Sequence, residues 1–234
     1  EMTHPEELNQ ETTRTDDGDG EAIVERPPVV FNIKPEVAAL GVNAFDDLPL
    51  NSRVLEAIEK IGWKTPTPVQ KLCLPFSLRG RDVAGFAQTG TGKTAVFLLT
   101  IVNKLLSVQT DAEAAAAEAG GTRPPRAVVL APTRELAMQI EDDAKTMFQF
   151  AGLTSIAVFG GIDYDKQAKQ LKDGVDVIVA TPGRLKDYVQ KKWVDLSQIQ
   201  VFVCDECDRM FDMGFIEDVE FFLARIPEMA QQIG

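Results

Sequence analysis

Residues 87–94 have the residue types and spacing of a phosphate-binding loop. They read Ala-Gln-Thr-Gly-Thr-Gly-Lys-Thr and follow an apolar run that predicts a strand. The glycines allow a tight turn whose backbone N–H groups point inward, and a helix starting at Lys93 would add its positive end. Lys93 would then reach the terminal phosphates of a nucleotide, and the Thr94 hydroxyl would ligate Mg²⁺. The usual pattern begins with Gly where this chain has Ala87, and the alternative is an ordinary Gly-rich turn.

A second polar group, Asp-Glu-Cys-Asp at residues 205–208, follows the apolar run 199–204. Acids at the carboxyl end of a buried parallel strand lie where open α/β sheets bind ligands. Asp205 is suited to hold Mg²⁺, and Glu206 to orient or deprotonate an attacking water. Alone, the acids could simply begin a solvated helix. Together with the phosphate-binding loop, they predict catalysis on a nucleotide.

The Cys and His content limits the chemistry that the chain can perform. Cys204 and Cys207 have C-x-x-C spacing, but a zinc site would need two more ligands, and neither a second pair nor a nearby His exists. A redox site remains an open alternative. With Cys73, the cysteines number three, which favours reduced thiols. The single histidine, His4, lies near the N-terminus, so catalysis must use carboxylates, Lys, Arg or a metal.

Length and charge suggest one folded domain preceded by an acidic segment. The 234 residues suffice for one well-buried α/β domain but not for two. Of the net charge of -12, residues 1–50 contribute -9, with twelve acids and three bases, so the remainder carries only -3. The overall acidity therefore does not exclude a nucleic-acid partner. The sequence shows neither a long apolar run nor a secretory signal, which predicts a cytoplasmic protein without a membrane span.

Residues 1–42 are predicted to form a largely disordered leader, because residues 1–25 are rich in Glu, Asp, Thr and Gly and almost lack large apolar residues. Within the leader, residues 27–40 carry several apolar side chains and could dock on the domain. The folded domain is predicted to span residues 43–234.

The rest of the chain alternates apolar runs with amphipathic segments, which is typical of a parallel sheet flanked by helices on both faces. The predicted strands are Asp82–Phe86, Arg126–Ala131, Thr154–Phe159, Asp176–Ala180 and Gln200–Cys204. The predicted helices are Ser52–Ile61, Lys93–Leu106, Glu135–Phe148, Asp163–Lys172, Arg184–Lys191 and Ile216–Ala224. A surface loop with a short helix is predicted over Asp111–Pro125. The fold class is therefore α/β.

These motifs resemble those of the DEAD-box ATP-dependent RNA helicases. The matching segments are Phe45 with residues 62–70, the loop 87–94 including its leading Ala, residues 132–137, Gly160-Gly161, residues 181–185 and residues 205–208, in the family's order. The resemblance covers residues 43–234 and implies the family's N-terminal RecA-like P-loop domain. Residues 80–85, 163–167 and 212–216 look most similar to the bacterial RhlB type, whose relatives act in RNA turnover.

The resemblance implies ATP as the nucleotide, with Gln70 reading the adenine edge and Phe45 stacking nearby. The expected ATP-binding residues are Phe45, Lys64, Thr65, Gln70, Ala87, Gln88, Thr89, Gly90, Thr91, Gly92, Lys93 and Thr94. Thr94 and Asp205 are the expected Mg²⁺ ligands, and Lys93, Asp205 and Glu206 the expected catalytic residues.

The resemblance also implies contacts with the RNA backbone, which give little sequence preference. The expected RNA-facing residues are Pro132, Thr133, Arg134, Gly160, Gly161, Thr181, Pro182, Gly183 and Arg184. Taken singly, each Gly or Pro could be an ordinary turn and Arg184 a surface charge. Only their combination favours RNA binding.

The chain departs from the family pattern in two ways. Cys207 replaces the usual Ala, a small-for-small exchange that we expect to be tolerated. The sequence also stops before the Ser-Ala-Thr motif and the second RecA-like domain, so we expect a monomer that alone binds nucleotide weakly and turns it over slowly. Two other functions remain open: an ATP-dependent RNA clamp that does not unwind, and a P-loop ATPase that acts on protein, with the acidic leader as the docking segment for a protein partner.

Overall fold

The computed structural model describes residues 41–108 and 124–234. Most of the predicted leader, including the docking segment 27–40, lies outside the described residues. So does most of the predicted loop 111–125 with its short helix. The predictions made for those segments therefore remain predictions.

Parallel strands form the centre of the described domain. The strands are β1 Ala127–Leu130, β2 Ser155–Val158, β3 Val177–Ala180, β4 Val201–Cys204 and β5 Gln231–Ile233. They form one sheet in the order β2-β3-β1-β4-β5, and every pairing is parallel. Because neighbouring strands run in the same direction, the segments that follow them leave the sheet at the same edge.

Four of the described helices follow a polar residue whose side chain caps their free N–H groups. The described helices are α1 Ser52–Ile61, α2 Pro68–Ser77, α3 Lys93–Ser107, α4 Arg134–Phe148, α5 Tyr164–Lys172, α6 Pro182–Gln190, α7 Cys207–Asp212 and α8 Ile216–Leu223. Asn51, Thr67, Thr133 and Asp163 each accept a backbone hydrogen bond at the start of a helix. A 3₁₀ turn, Phe45–Asp47, precedes α1. None of the described helices combines the length and the apolar character that crossing a membrane requires.

Alternating side chains of the central strands form two buried cores. In β1, Ala127 and Val129 pack on one side of the sheet, whereas Val128 and Leu130 pack on the other. Helices α1 to α4 contribute buried residues to the first core, and α5 to α8 to the second. Both faces of the parallel sheet are therefore covered, which confirms the predicted α/β fold with a P-loop domain architecture.

A buried ion pair joins the residues that precede β1 and β3. Arg126 Nη2 lies 2.7 Å from Asp176 Oδ1, and the other carboxylate oxygen accepts a hydrogen bond from the Thr154 backbone N–H at 2.8 Å. Asp176 is fully buried and Arg126 nearly so. The pair ties the amino ends of the strands together on the side opposite the predicted site.

Ten predicted elements form within two residues of their expected ends. The predicted strand Asp82–Phe86 is wrong, because the segment makes only an isolated bridge at Val83 and Ala84, in which Val83 pairs with Ile233. The segment lies beside β5, which is only three residues long, so little backbone is available for pairing. The chain leaves the sheet at Phe86, whose side chain is 90% exposed. Strand β5 and helices α2 and α7 were not predicted.

Candidate active site

The sequence-predicted site residues lie on the loops that follow the parallel strands. Asp205 follows β4, and the bridge segment at Val83, beside β5, leads into the loop 87–92. The expected RNA-facing residues follow β1, β2 and β3. The loops that follow the strands form the rim of the sheet. The strand order divides this rim into two parts: one carries the phosphate-binding loop and the acids, and the other carries the expected RNA-facing residues.

The loop 87–92 has the backbone shape that a phosphate site needs. Gly90 and Gly92 both have positive φ values, 81° and 96°, and Gly92 directly precedes α3. Lys93, the first residue of α3, folds over the loop, and its Nζ donates to the Ala87 carbonyl oxygen at 2.5 Å. The predicted turn followed by a helix is thus present, with the Lys93 ammonium beside the loop.

A cavity of about 530 Å³ joins this loop to the acids after β4. Its lining includes Ala87, Gln88 and Lys93 from the loop side and Asp205 and Glu206 from the opposite side. The structure therefore brings together the residues that the sequence predicted to be catalytic. The other expected loop residues, Thr89, Gly90, Thr91, Gly92 and Thr94, lie beside the cavity in sequence and do not form its lining.

The two acids differ in their surroundings. Burial raises the pKa of the Asp205 carboxyl, and the nearby Lys93 ammonium opposes this increase. Asp205 Oδ1 accepts a hydrogen bond from the Glu206 backbone N–H at 3.1 Å. Glu206 has a left-handed backbone, with φ of 53°, and its carboxylate accepts from Arg209 at 3.3 Å. The tight turn at Glu206 directs consecutive acids into one cavity from a single loop.

Gln70 contacts the phosphate-binding loop directly. Its backbone N–H and side-chain oxygen form a reciprocal capping pair with Thr67 at the start of α2. The side-chain Nε2 also donates to the Gly92 carbonyl oxygen at 3.2 Å. The family resemblance implies that Gln70 reads the adenine edge, and its contact with Gly92 was not predicted from the sequence. The Thr67-x-x-Gln70 spacing before an apolar run was the available signal for the cap.

Phe45, Lys64 and Thr65 lie apart from the cavity that contains Lys93. Phe45 is buried and stacks on Trp63, with ring centroids 6.3 Å apart. Phe45, Trp63 and Lys64 line a second groove of about 540 Å³. Lys64 and Thr65 are exposed. In this structure the Phe45 ring stacks on Trp63. This partner of Phe45 was not predicted from the sequence.

On the other part of the rim, Arg134 lies against the loop after β2. Thr133 accepts from the Leu136 backbone N–H at 3.3 Å and so caps α4, which positions Arg134 at the first turn of that helix. The Arg134 guanidinium lies 5.3 Å from the centre of the Phe159 ring. Gly161 has φ of 84°, and a Cβ added there would lie 2.7 Å from Arg134 Nη1. Pro132 before the cap is buried.

Arg184 extends the same surface from the first turn of α6. Its guanidinium lies 4.9 Å from the Tyr164 ring and donates to Gln167 and to the Tyr188 hydroxyl, each at 3.3 Å. A Cβ added at Gly160 would lie 4.0 Å from Arg184 Nη2. The loop after β3 positions this arginine: Thr181 bonds back to β2, Pro182 starts α6 and Gly183 is exposed. Arg184 was predicted from the sequence, whereas the tyrosines that contact it, Tyr164 and Tyr188, were not.

The DEAD/DEAH box helicase family matches residues 67–234 of this chain. The chain belongs to this family. It is 50% identical over 189 residues to the ATP-dependent RNA helicase RhlB of Erwinia tasmaniensis, covering 81% of this chain and 43% of that protein. The RhlB protein of Pasteurella multocida is 49% identical over 183 residues, covering 78% and 41%.

The chain spans less than half the length of these curated relatives. The predicted resemblance of this DEAD/DEAH box helicase domain to the RhlB type is confirmed. Because the match covers only part of the relatives, the activity, substrates and partners of the whole protein are proposals.

The C-x-x-C pair of this DEAD/DEAH box helicase domain lies at the same cavity. The Cys207 thiol donates to the Cys204 carbonyl oxygen at 2.9 Å, and both residues line the cavity. A hydrogen bond with Cys207, together with burial, raises the pKa of Cys204. Within residues 41–108 and 124–234, no group of three or more His, Cys, Asp or Glu side chains is arranged to hold a metal.

Proposed function

We propose that this chain is the ATP-binding domain of an ATP-dependent RNA helicase, which couples ATP binding and hydrolysis to the remodelling of RNA duplexes. The observation that carries the proposal is the cavity shared by Lys93, Asp205 and Glu206. The cavity places the Lys93 ammonium group, at the amino end of α3, near the carboxylates of Asp205 and Glu206. The hydrolysis of a nucleoside triphosphate requires such an arrangement. The names of the RhlB relatives support ATP and RNA as the ligands.

The loop residues fit a triphosphate. The cavity volume of about 530 Å³ lies in the range of small-molecule sites. Lys93 would exchange its bond to the Ala87 carbonyl for phosphate oxygens. The positive φ values at Gly90 and Gly92 allow backbone N–H groups to turn toward an anion, at the start of the fifteen-residue helix α3.

The donor set also fits Mg²⁺, a hard cation that prefers oxygen ligands. We propose that the Thr94 hydroxyl and the Asp205 carboxylate hold the ion. A cation at this position would favour the ionised form of Asp205 and so offset the effect of burial on its pKa. When bound, ATP supplies the γ-phosphate that is transferred to water, and Mg²⁺ neutralises the charge on the phosphates.

The remaining steps fall to side chains of this domain. The Lys93 ammonium group stabilises the negative charge of the phosphates at the loop. Glu206 orients a water molecule and accepts its proton. The hydrogen bond from Arg209 restrains the Glu206 carboxylate. Because Glu206 is fixed by a left-handed turn directly after Asp205, the water-binding and metal-binding carboxylates keep one relative position.

We propose that RNA binds along Arg134, Gly160, Gly161 and Arg184, with Thr133, Pro132, Thr181, Pro182 and Gly183 shaping the loops between them. The two guanidinium groups would contact phosphates. Gly160 would let the backbone approach closely, whereas Gly161 would leave room for the Arg134 guanidinium. Such contacts carry little sequence preference. A monomeric cytoplasmic enzyme, a domain boundary at residue 43 and a protein-docking role for the leader stay predictions.

A test measures MgATP binding by calorimetry and RNA-stimulated ATPase activity in the full-length protein. We expect Lys93→Ala to lose binding and Glu206→Gln to retain binding but lose hydrolysis. Lys104→Ala, near the other end of α3, is the matched control and should keep both. ATP-dependent RNA binding without strand separation would favour the clamp instead. If RNA leaves nucleotide affinity unchanged, a protein-directed ATPase is favoured.

A further inference from the structure

All three cysteines of the chain line the cavity that contains Lys93 and Asp205. Cys73 comes from α2, Cys204 ends β4 and Cys207 begins α7. Distant parts of the sequence therefore bring all three thiols of this chain to one place. The function proposed above uses none of these thiols.

Cys204 and Cys207 are in direct contact, whereas Cys73 lies on the loop side of the cavity. The Cys207 sulfur is 2.9 Å from the Cys204 carbonyl oxygen. Both are free thiols in this structure. The Cys73 sulfur lies instead beside Gly85, where an added Cβ would be 3.8 Å from it. The geometry therefore selects the C-x-x-C pair.

We propose that Cys204 and Cys207 form an oxidative modification site, in which hydrogen peroxide converts the two thiols into a disulfide. Each thiol loses its hydrogen, a bond forms between the sulfurs and the peroxide O–O bond breaks. The two sulfurs are oxidised and one peroxide is reduced to two waters. Oxidation proceeds through a sulfenic acid on one cysteine, which the neighbouring thiol resolves.

The disulfide encloses Asp205 and Glu206 in its ring, so it changes the position of the acids. A disulfide fixes the sulfurs about 2 Å apart, closer than two thiols in contact. Cys204 cannot move to meet this demand, because it pairs with Leu130 of β1 and the following N–H of Asp205 also bonds to Leu130. The movement must therefore fall on residues 205–207. Oxidation then weakens binding of Mg²⁺ and nucleotide, a consequence that rests on the function proposed above.

The test treats the 234-residue chain with hydrogen peroxide, blocks the remaining thiols and maps the peptides by mass spectrometry without reduction. We expect loss of two hydrogen atoms, a Cys204–Cys207 link and recovery with dithiothreitol. Cys73→Ser should behave like the parent chain. Cys207→Ala, which places a small side chain at the same position, should fold and lose the link. A link to Cys73, or oxidation of Cys207 to a sulfinic acid with no disulfide, overturns the proposal.

Nucleotide binding is measured separately with a fluorescent ADP analogue and Mg²⁺. The mapped disulfide form should bind about tenfold more weakly than the reduced form, the scale of effect seen when groups that orient metal ligands are disturbed. Cys207→Ala should bind equally before and after peroxide. Equal binding by the mapped disulfide form and the reduced form overturns the effect on the site. Failure of the reduced full-length protein to bind nucleotide contradicts the proposed function instead, while peptide mapping still decides the thiol chemistry.

Discussion

Gln70 donates a hydrogen bond from its side chain to the carbonyl oxygen of Gly92, at a distance of 3.2 Å. The same side chain accepts from the Thr67 backbone N–H at 2.9 Å, so it caps α2 at the same time. One buried side chain thus couples the start of α2 to the last residue of the phosphate-binding loop. The loop conformation at Gly92 and the cap at α2 should therefore change together.

Alanine at Gly92 tests this coupling, with alanine at Gly90 as its matched control. Both glycines have positive φ, so each substitution should lower the free energy of unfolding by about 1 kcal/mol through backbone strain. A Cβ at Gly90 meets no atom within 4 Å, whereas at Gly92 it would lie 2.6 Å from Gln70 Nε2. Gly92→Ala should therefore lose about 1–3 kcal/mol more. Urea unfolding measures the difference, and equal losses in the two variants would show that the contact with Gln70 is unimportant.

The buried carboxyl of Asp205 predicts a conflict between stability and function. Burial raises its pKa in the folded state, so the ionised form lowers the stability of the ligand-free fold above that pKa. This loss of stability disappears as the pH falls toward 3.8, the ordinary pKa of an Asp carboxyl. Asp205→Asn should therefore raise the free energy of unfolding at neutral pH, and the gain should shrink in acid. The same variant should lose Mg²⁺-dependent nucleotide binding.

Chemical unfolding across the pH range checks this prediction. Asp208→Asn, an exposed position on the same turn, serves as the control and should show little change. A loss of stability in Asp205→Asn at neutral pH, or a gain that does not depend on pH, would show that burial does not destabilise the ionised carboxyl.

The buried pair of Arg126 and Asp176 predicts a large loss when one partner is removed. Asp176 is fully buried, and its carboxylate also accepts from Thr154. Arg126→Met would leave that carboxylate without its guanidinium, at a cost of about 3–5 kcal/mol. The double variant Arg126→Met with Asp176→Leu should recover part of the loss, because no buried charge is left uncompensated. Urea unfolding of both variants measures this, and a double variant no more stable than Arg126→Met alone would refute the prediction.

The sequence predicted those parts of the fold in which local pattern and burial agree. Strands β1, β3 and β4 consist of apolar residues that are fully or almost fully buried, so their composition alone marks them. Strand β5 carries Gln231 and Gln232, and its strand conformation depends on pairing with β4. Gln231 Nε2 is satisfied by the carbonyl oxygens of Ser77 and Arg81, which are distant in the chain. No local pattern can predict such a strand.

The same reason separates the site residues that were placed well from those that were not. Lys93, Asp205 and Glu206 follow buried strands or open helices, so the parallel topology alone brings them to one edge. The contacts of Gln70 with Gly92 and of Phe45 with Trp63 depend on how α2 and the 3₁₀ turn pack, which side-chain types do not reveal. Similarly, the left-handed backbone at Glu206 has no sequence signal, because that conformation is typical of Gly or Asn rather than Glu.

The proposed RNA surface predicts that Arg134 contributes mainly electrostatic affinity. Arg134→Ala in the full-length protein should weaken binding of single-stranded RNA, and the slope of log affinity against log salt should fall by about one. Lys145→Ala removes a positive charge from the last turn of the same helix, away from the rim, and is the control. Fluorescence anisotropy at several salt concentrations measures both. If the two variants change the slope equally, the effect reflects net charge rather than a contact by Arg134.

Gly161 is expected to act on RNA through Arg134 rather than directly. A Cβ at Gly161 would lie 2.7 Å from Arg134 Nη1, and the flexible guanidinium would move aside. Gly161→Ala should therefore weaken RNA binding about as much as Arg134→Ala does. The double variant should be little weaker than either single variant, because neighbouring residues that act through one contact are not additive. Additive losses in this cycle would mean that the Gly161 backbone contacts RNA independently of Arg134.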